Sequence, residues 1–327
     1  MEKDYFVLGN AYKNVLGKKT INNEYKMDTV DLSNANDSHS IIVNHIIKDN
    51  QKKTILDVGA NTGVLGSTLI NYNSTIDGVE YDEDFFKKLK KNDSYKNVYN
   101  FSICDFDNKF YKDKTKYDYI IFADVLEHLT NPDEVIYNIT KKLNKDGKII
   151  ISIPNIAHLD VIIQLINGNF NYNNEGILDS THLRFFTHNS FVEMIDNIEE
   201  KNNIYFDVKK IGETKVLPPY ANAIDTSLFN MNDNLYDYSI VQNIYELKIV
   251  NKKQKRNVKK IDLYRIMNDN YNGILEQKLN VEKENLRLLE ENGLFENEIN
   301  KQQEELNRIK NTLRYKIFFR IMEKLRK

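Results

Sequence analysis

The chain holds almost no cysteine, no tryptophan, few prolines and no long apolar run, and its charges nearly cancel. One cysteine, Cys104, stands among 327 residues. That excludes an internal disulfide and a cysteine-built metal centre, and it fits a reducing compartment. No stretch reaches the roughly 20 apolar residues that a bilayer span requires. Met1 to Asn10 carries acids without an apolar core, so no secretory signal is expected there. Lys and Arg number 46 against 48 Asp and Glu, a formal net charge of -2, so there is no overall basic footprint for nucleic acid. The missing tryptophan beside abundant Asn, Lys, Ile and Tyr reads as coding bias, not function. What remains is a globular composition, 41% hydrophobic and 29% charged, with length for one large domain or two smaller ones.

The most informative stretch is Thr54-Ile55-Leu56-Asp57-Val58-Gly59-Ala60-Asn61-Thr62-Gly63. An apolar run ends in an acid, a glycine-bearing loop follows, and Val64, Leu65, Leu69 and Ile70 then keep helical spacing. Such a strand, turn and helix bring backbone and a helix N-terminus close to a nucleotide-type ligand. The dinucleotide fingerprint G-x-G-x-x-G fails, because Asn61 stands at its middle position.

Around this loop, strand-like runs at 54–58, 75–80, 97–103, 117–123 and 148–153 alternate with helical patterns at 63–72, 82–91, 132–143 and 188–200. That alternation predicts a parallel sheet with right-handed crossovers. Runs at 203–211 and 238–250, with no comparable helix between them, predict an antiparallel pair at the sheet edge. Asn36-Asp37-Ser38-His39-Ser40 reads as a helix cap before Ile41, Ile42 and Ile46. Residues 1–37 are then an N-terminal cap segment, 38–250 the main domain, 251–260 a basic linker and 261–327 a helical tail.

Acids and a histidine collect at the predicted strand ends. Glu80 follows the loop at about the 20-residue spacing where a carboxylate meets ribose hydroxyls. Asp105 follows Cys104 at the end of the third strand. Asp124-Val125-Leu126-Glu127-His128 follows the fourth, beyond the sheet edge where open α/β folds bind ligands. The series LDVGANTG, GVEYD, CDF, ADVLEHL and KIIISIPN resembles the class I S-adenosylmethionine-dependent methyltransferases. Within them it is most similar to the group that includes the ubiquinone-biosynthesis O-methyltransferases, over roughly 38–250.

The resemblance implies a Rossmann-like α/β fold: a seven-stranded, mostly parallel sheet with helices on both faces. It implies S-adenosylmethionine as cofactor, with Asp57, Gly59, Asn61 and Gly63 at the methionine part and Glu80 at the ribose. Asp105 would hold adenine, and Asp124 and Val125 would complete the pocket under the sulfonium. Asn61 stands where the family often has glycine.

Residues 154–187 read as a lid or substrate insertion, since polar, basic and aromatic residues crowd there without a clean period. Its IPN…H and DSTHLRFFT segments resemble a bacterial methyltransferase subgroup associated with surface-polysaccharide assembly, which implies O-methylation of a sugar or polysaccharide intermediate. A hydroxyl acceptor gains from a base, and His128 and His182 are the candidates. His128 also fits a packing or capping role, and His182 a hydrogen bond that fixes the lid. Asp124, Asn155 and Arg184 are candidates for holding the acceptor, with an Arg184–Asp179 ion pair as the other reading. His158 is a weaker candidate. No metal is expected, since His182 and His188 have no thiolate partner and no clear carboxylate geometry. A quinone-like phenol is the alternative acceptor, and a coiled-coil scaffold with a vestigial pocket the alternative of another class.

In the tail, Leu275, Leu279, Leu286 and Leu289, then Ile299, Leu306, Ile309 and Leu313, keep coiled-coil spacing with a slip near Gly293. This predicts a homo-oligomer or a partner helix. The basic amphipathic end, 313–327, suits contact with an anionic membrane surface, so the expected location is cytoplasmic or peripheral at the inner face of the membrane.

Overall fold

The computed structural model describes residues 29–49, 51–217, 238–254, 256, 275–288 and 296–311, together with 316, 320 and 321. Chain contacts divide it into two compact units, Met1–Ile224 with Asp237–Val258, and Asp225–Tyr236 with Lys259–Lys327.

The first unit runs α1 (Ser38–Ile46), β1 (Lys53–Val58), α2 (Val64–Leu69), β2 (Ser74–Val79), α3 (Glu83–Leu89), β3 (Tyr95–Tyr99), α4 (Lys109–Lys112) and β4 (Tyr117–Ala123). It continues with α5 (Pro132–Ile139), β5 (Leu143–Pro154), α6 (Leu159–Ile166), α7 (His188–Asn202), β6 (Tyr205–Lys215) and β7 (Ile240–Val250). The seven strands order as β3-β2-β1-β4-β5-β7-β6. β7 runs antiparallel to both of its neighbours, while the remaining pairs are parallel. The expected antiparallel edge pair is therefore present. The strand order reverses between β1 and β4, and their C-terminal ends open the crevice where such sheets bind ligands.

Period-two alternation explains why both faces are covered. Leu56, Val58, Ile120, Phe122, Ile149 and Ile151 pack with Val135, Ile136 and Ile139 of α5 and Phe191, Ile195 and Ile198 of α7. Their neighbours Ile55, Tyr119, Ile121 and Ile150 pack on the other face with Ile42, Val43 and Ile46 of α1 and Leu65 and Leu69 of α2. Truncating any one of these buried aliphatics to Ala costs about 2–5 kcal/mol.

Local signals set the element ends. Asp37 caps α1 by accepting from the Ser40 N–H at 2.8 Å. Pro132 opens α5, where its missing N–H costs nothing. Thr187 and Ser190 form a reciprocal capping box at the start of α7. In the N-terminal cap segment, the Val30 N–H donates to Thr68 Oγ1 at 2.8 Å, and Asn36 exchanges two hydrogen bonds with the Lys215 backbone.

Two expectations need correction. The third strand lies at 95–99 rather than 97–103: Tyr99 O still accepts from Glu80 N–H at 3.0 Å, whereas the chain turns at Ser102–Asp105. The 154–187 insertion is not wholly irregular either, since α6 lies within it and buries Leu159 and Val161. In the second unit, residues 275–288 and Glu296–Asn311 (α8 and α9) are helical. The expected slip at Gly293 and the basic stretch at 257–260 lie outside the described residues.

Candidate active site

The loop after β1 is shaped by three residues with left-handed backbone: Gly59 (φ 71), Asn61 (φ 52) and Gly63 (φ 91). A Cβ on Gly59 would lie 2.7 Å from Val125 Cγ2, and one on Gly63 would lie 2.6 Å from Asn92 Nδ2. The Gly59 contact sets the loop after β1 directly against the loop after β4. Asn61 serves where glycine would be expected because a short amide side chain tolerates this conformation. Its Oδ1 accepts from the next N–H, that of Thr62, at 2.8 Å.

Glu80 stands at the tip of β2 and is 7% exposed. Its Oε2 accepts from the Asn61 N–H and its Oε1 from the Asp82 N–H, both at 2.8 Å. Burial raises its pKa against the pull of those bonds. Each carboxylate oxygen keeps a second lone-pair direction, so the carboxylate is oriented and still able to accept from a hydroxyl.

Asp57 lies behind the same loop, 2% exposed, accepting from Tyr95 OH at 2.5 Å. Tyr95 in turn accepts from the Gly66 N–H at 3.1 Å. Burial pushes the Asp57 carboxyl up to about 7, although the Tyr95 bond opposes the rise. On the other side, Asp105 is exposed, and the rings of Phe106 and Tyr111 meet edge-on at 5.7 Å.

Asp124 also has left-handed backbone, φ 54. Ser152 Oγ donates to its Oδ1 at 2.9 Å, and Gln242 Nε2 reaches both carboxylate oxygens at 2.8 Å. Thr214 Oγ1 donates to Gln242 Oε1 at 3.1 Å. Strands β6 and β7 thus fix an acid in the loop after β4.

Next to it, the His128 and His182 rings lie 4.8 Å apart at 74°. His182 Nδ1 faces the Ile177 carbonyl at 3.0 Å, and His128 Nδ1 faces the Thr181 carbonyl at 3.2 Å. A carbonyl can only accept, so Nδ1 of His182 carries the hydrogen and, in the neutral ring, its Nε2 keeps a lone pair; His128 Nδ1 also meets Thr181 Oγ1 at 3.2 Å, which can donate or accept. Burial lowers the His182 pKa, which favours that neutral form.

Glu127 is 1% exposed, and its backbone oxygen accepts from the Leu183 and Arg184 N–H groups, tying the lid to the site. Donor atoms of Glu127, His128 and His182 all lie within 4.8 Å of one another. Glu127 thus sets a carboxylate beside the two rings, a neighbourhood that the pairing of His182 with His188 along the sequence does not reveal.

Two acceptor candidates make bonds within the chain. Asn155 is 3% exposed and spends its amide on Ile240 O and the Ala157 N–H. It clips the end of β5 to β7. Arg184 donates twice to Thr130 O, and Asp179 accepts instead from Thr181. His158, fully buried, bonds Val216 O at 2.8 Å and caps α6. Sequence reasoning missed Tyr95, Ser152, Thr214 and Gln242 as supports, and Glu127 as a site acid. Only Glu127 carried a local signal, its place beside His128.

Residues 49–205 match the family model described as a methyltransferase domain, and the architecture is a Rossmann-like α/β fold with a seven-stranded, mostly parallel sheet. The chain is 23% identical over 145 residues to the ubiquinone biosynthesis O-methyltransferase of Hydrogenovibrio crunogenus, covering 44% of this chain and 57% of that protein. It is 25% identical over 122 residues to the enzyme of the same name from Coxiella burnetii, covering 37% and 52%. The chain thus spans about half the length of the curated relatives it matches. Similar solved structures include a SAM-dependent methyltransferase from Archaeoglobus fulgidus (TM-score 0.44, 15% identity, 64% of this chain and 94% of that one). They also include the plantazolicin methyltransferase BpumL in complex with SAH (TM-score 0.44, 14% identity, 76% and 91%).

Proposed function

We infer that this protein is an S-adenosylmethionine-dependent O-methyltransferase whose acceptor is a sugar or surface-polysaccharide intermediate. One observation carries the reading. The loops after β1, β2 and β4 close on one crevice, with Glu80 and Asp124 held by oriented bonds and a histidine pair beside them. S-adenosylmethionine, when bound, supplies an activated methyl group on sulfur. Glu80 would accept from the ribose hydroxyls, and Gly59 and Gly63 would let backbone approach the methionine part. Asp124 and Val125 line the reacting end.

Bound there, the cofactor would give its methyl to the acceptor oxygen as the carbon–sulfur bond breaks and would leave as S-adenosylhomocysteine. The hydroxyl proton passes to the Nε2 lone pair of His128 or His182. The lid excludes water and aligns the reactants.

Two other readings rest on specific observations. The curated relatives are named for ubiquinone biosynthesis, which favours a phenolic acceptor. The Glu127, His128 and His182 cluster favours a divalent cation that would bind acceptor oxygens in place of a base.

Calorimetry with S-adenosylmethionine, followed by transfer of a labelled methyl group to nucleotide sugars, glycans and catechols, tests all three. Specific heat and transfer to glycans are expected. Absence of specific heat would leave a scaffold with a vestigial pocket. Transfer to catechols alone would replace the sugar. Activity abolished by EDTA and restored by Mg²⁺ or Mn²⁺ would replace the base.

A further inference from the structure

The lid leaves exposed aromatic surface beside the histidine pair. Phe170 is 38% exposed and Tyr172 is 55% exposed, and their rings pack edge-on at 5.5 Å. Phe170 meets Phe185 at 5.6 Å, and Phe185 lies 6.4 Å from His182. Ring contacts therefore lead without a break from His128 and His182 to solvent. Backbone bonds hold the rim in place: the Asn169 N–H donates to Gln164 O, Asn173 to Leu178 O, and Ser180 to Asn173 O, each at 2.8 Å.

The chemistry between the rings is specific. Residues 167–174 read Asn-Gly-Asn-Phe-Asn-Tyr-Asn-Asn, and all are exposed. An amide offers two donors and an acceptor, which suits vicinal hydroxyls. The negative face of an aromatic ring attracts the weakly positive C–H edge of a pyranose. Between 165 and 187 the one Lys or Arg is Arg184, and it is committed to Thr130 O. The rim thus lacks the basic residues that draw a surface to anionic lipid.

We propose that Phe170 and Tyr172, with Asn171 and Asn174, form a subsite for the sugar unit next to the one that is methylated. The acceptor is then an oligosaccharide or longer glycan, not a single small ring. This rests on the reading of the site as a sugar O-methyltransferase and adds the acceptor's size and the residues that hold it.

The test uses the full chain saturated with S-adenosylhomocysteine. The probes are neutral mono-, di- and trisaccharides built on glucose, galactose, rhamnose and N-acetylglucosamine, with binding read by titration calorimetry. At least one trisaccharide is expected to bind roughly tenfold more tightly than its monosaccharide, a ratio equal to about 1.4 kcal/mol. The Phe170→Ala/Tyr172→Ala double variant is expected to lose that preference and keep S-adenosylhomocysteine affinity, and Tyr172→Phe to retain most of it. Equal binding of mono- and trisaccharides, no saccharide binding at all, or an unchanged preference in the double variant overturns the subsite. So does co-sedimentation with phosphatidylglycerol vesicles that depends on Phe170 and Tyr172, which would make the rim a membrane contact. Failure to bind S-adenosylhomocysteine is a different result, since it defeats the underlying reading.

Discussion

Glu80 ties the loop after β1 to the tip of β2. Its carboxylate accepts from the Asn61 and Asp82 N–H groups, so it shapes the loop that it faces. Glu80→Ala is expected to weaken S-adenosylmethionine binding by about 1–3 kcal/mol, the range for a lost charged hydrogen bond. Glu80→Gln, which keeps one acceptor oxygen, should lose less. Calorimetry on both variants separates the roles: equal losses would place the effect in the charge, and unchanged affinity in both would remove Glu80 from the ribose site. Glu80 was legible in the sequence because an acid at a strand tip stands at a fixed distance from the glycine loop. Gln242 and Tyr95 were not. Gln242 reaches Asp124 across 118 residues of chain, and Tyr95 reaches Asp57 across 38. No local pattern encodes such pairs. They exist only once the sheet order brings β7 beside β5 and β3 beside β2.

Among the elements, α1 is tied to the sheet by more than its apolar face. His45 Nε2 and Lys148 Nζ each lie 2.7 Å from Glu246 Oε2, linking α1, β5 and β7. Burial alone would raise the Glu246 carboxyl, but the two bonds outweigh it and hold it down to about 2. The folded pKa is thus below the unfolded value of about 4.3. The stabilisation is complete above that unfolded value and fades as pH falls through about 2. Glu246→Gln is expected to lower stability at neutral pH by about 1–3 kcal/mol and to flatten the acid limb of a denaturation profile between roughly pH 4.5 and 2. Parallel profiles for the two proteins would mean that the cluster contributes nothing.

The elements were also where sequence reading was strongest. Runs such as Tyr119-Ile120-Ile121-Phe122 fill both faces of a buried strand, and both of their neighbour strands pair with them. Reading failed where no such run existed. The third strand, with Lys96 and Asn97 exposed at its centre, carries too weak a pattern to fix its ends. Helix α6 went unread because it lies between polar segments that carry no regular period.

At the scale of the whole molecule, the boundary of the first unit at Val258 has a physical anchor. Arg256 forms ion pairs with Asp196 and Glu199 and donates to Phe206 O at 2.8 Å. The Glu199 carboxylate is fully buried and also accepts from the Phe206 N–H at 2.8 Å. Arg256 thus ties the segment following β7 to α7 and β6, within a stretch that composition alone presents as a basic linker. Removing one partner of a buried charge pair costs about 3–5 kcal/mol, because the other charge stays behind. Two shortened chains make this measurable. One ending at Val258 is expected to melt as the first unit of the full protein does and to bind S-adenosylmethionine with the same affinity. One ending at Lys253 keeps β7 whole and loses Arg256, and it should be less stable by that amount, as should the full chain carrying Arg256→Ala. If the chain ending at Val258 loses cofactor affinity while folded, the helices after 261 contribute to the site. If it keeps that affinity and sediments as a smaller species than the full protein, they serve association, as their leucine spacing predicts.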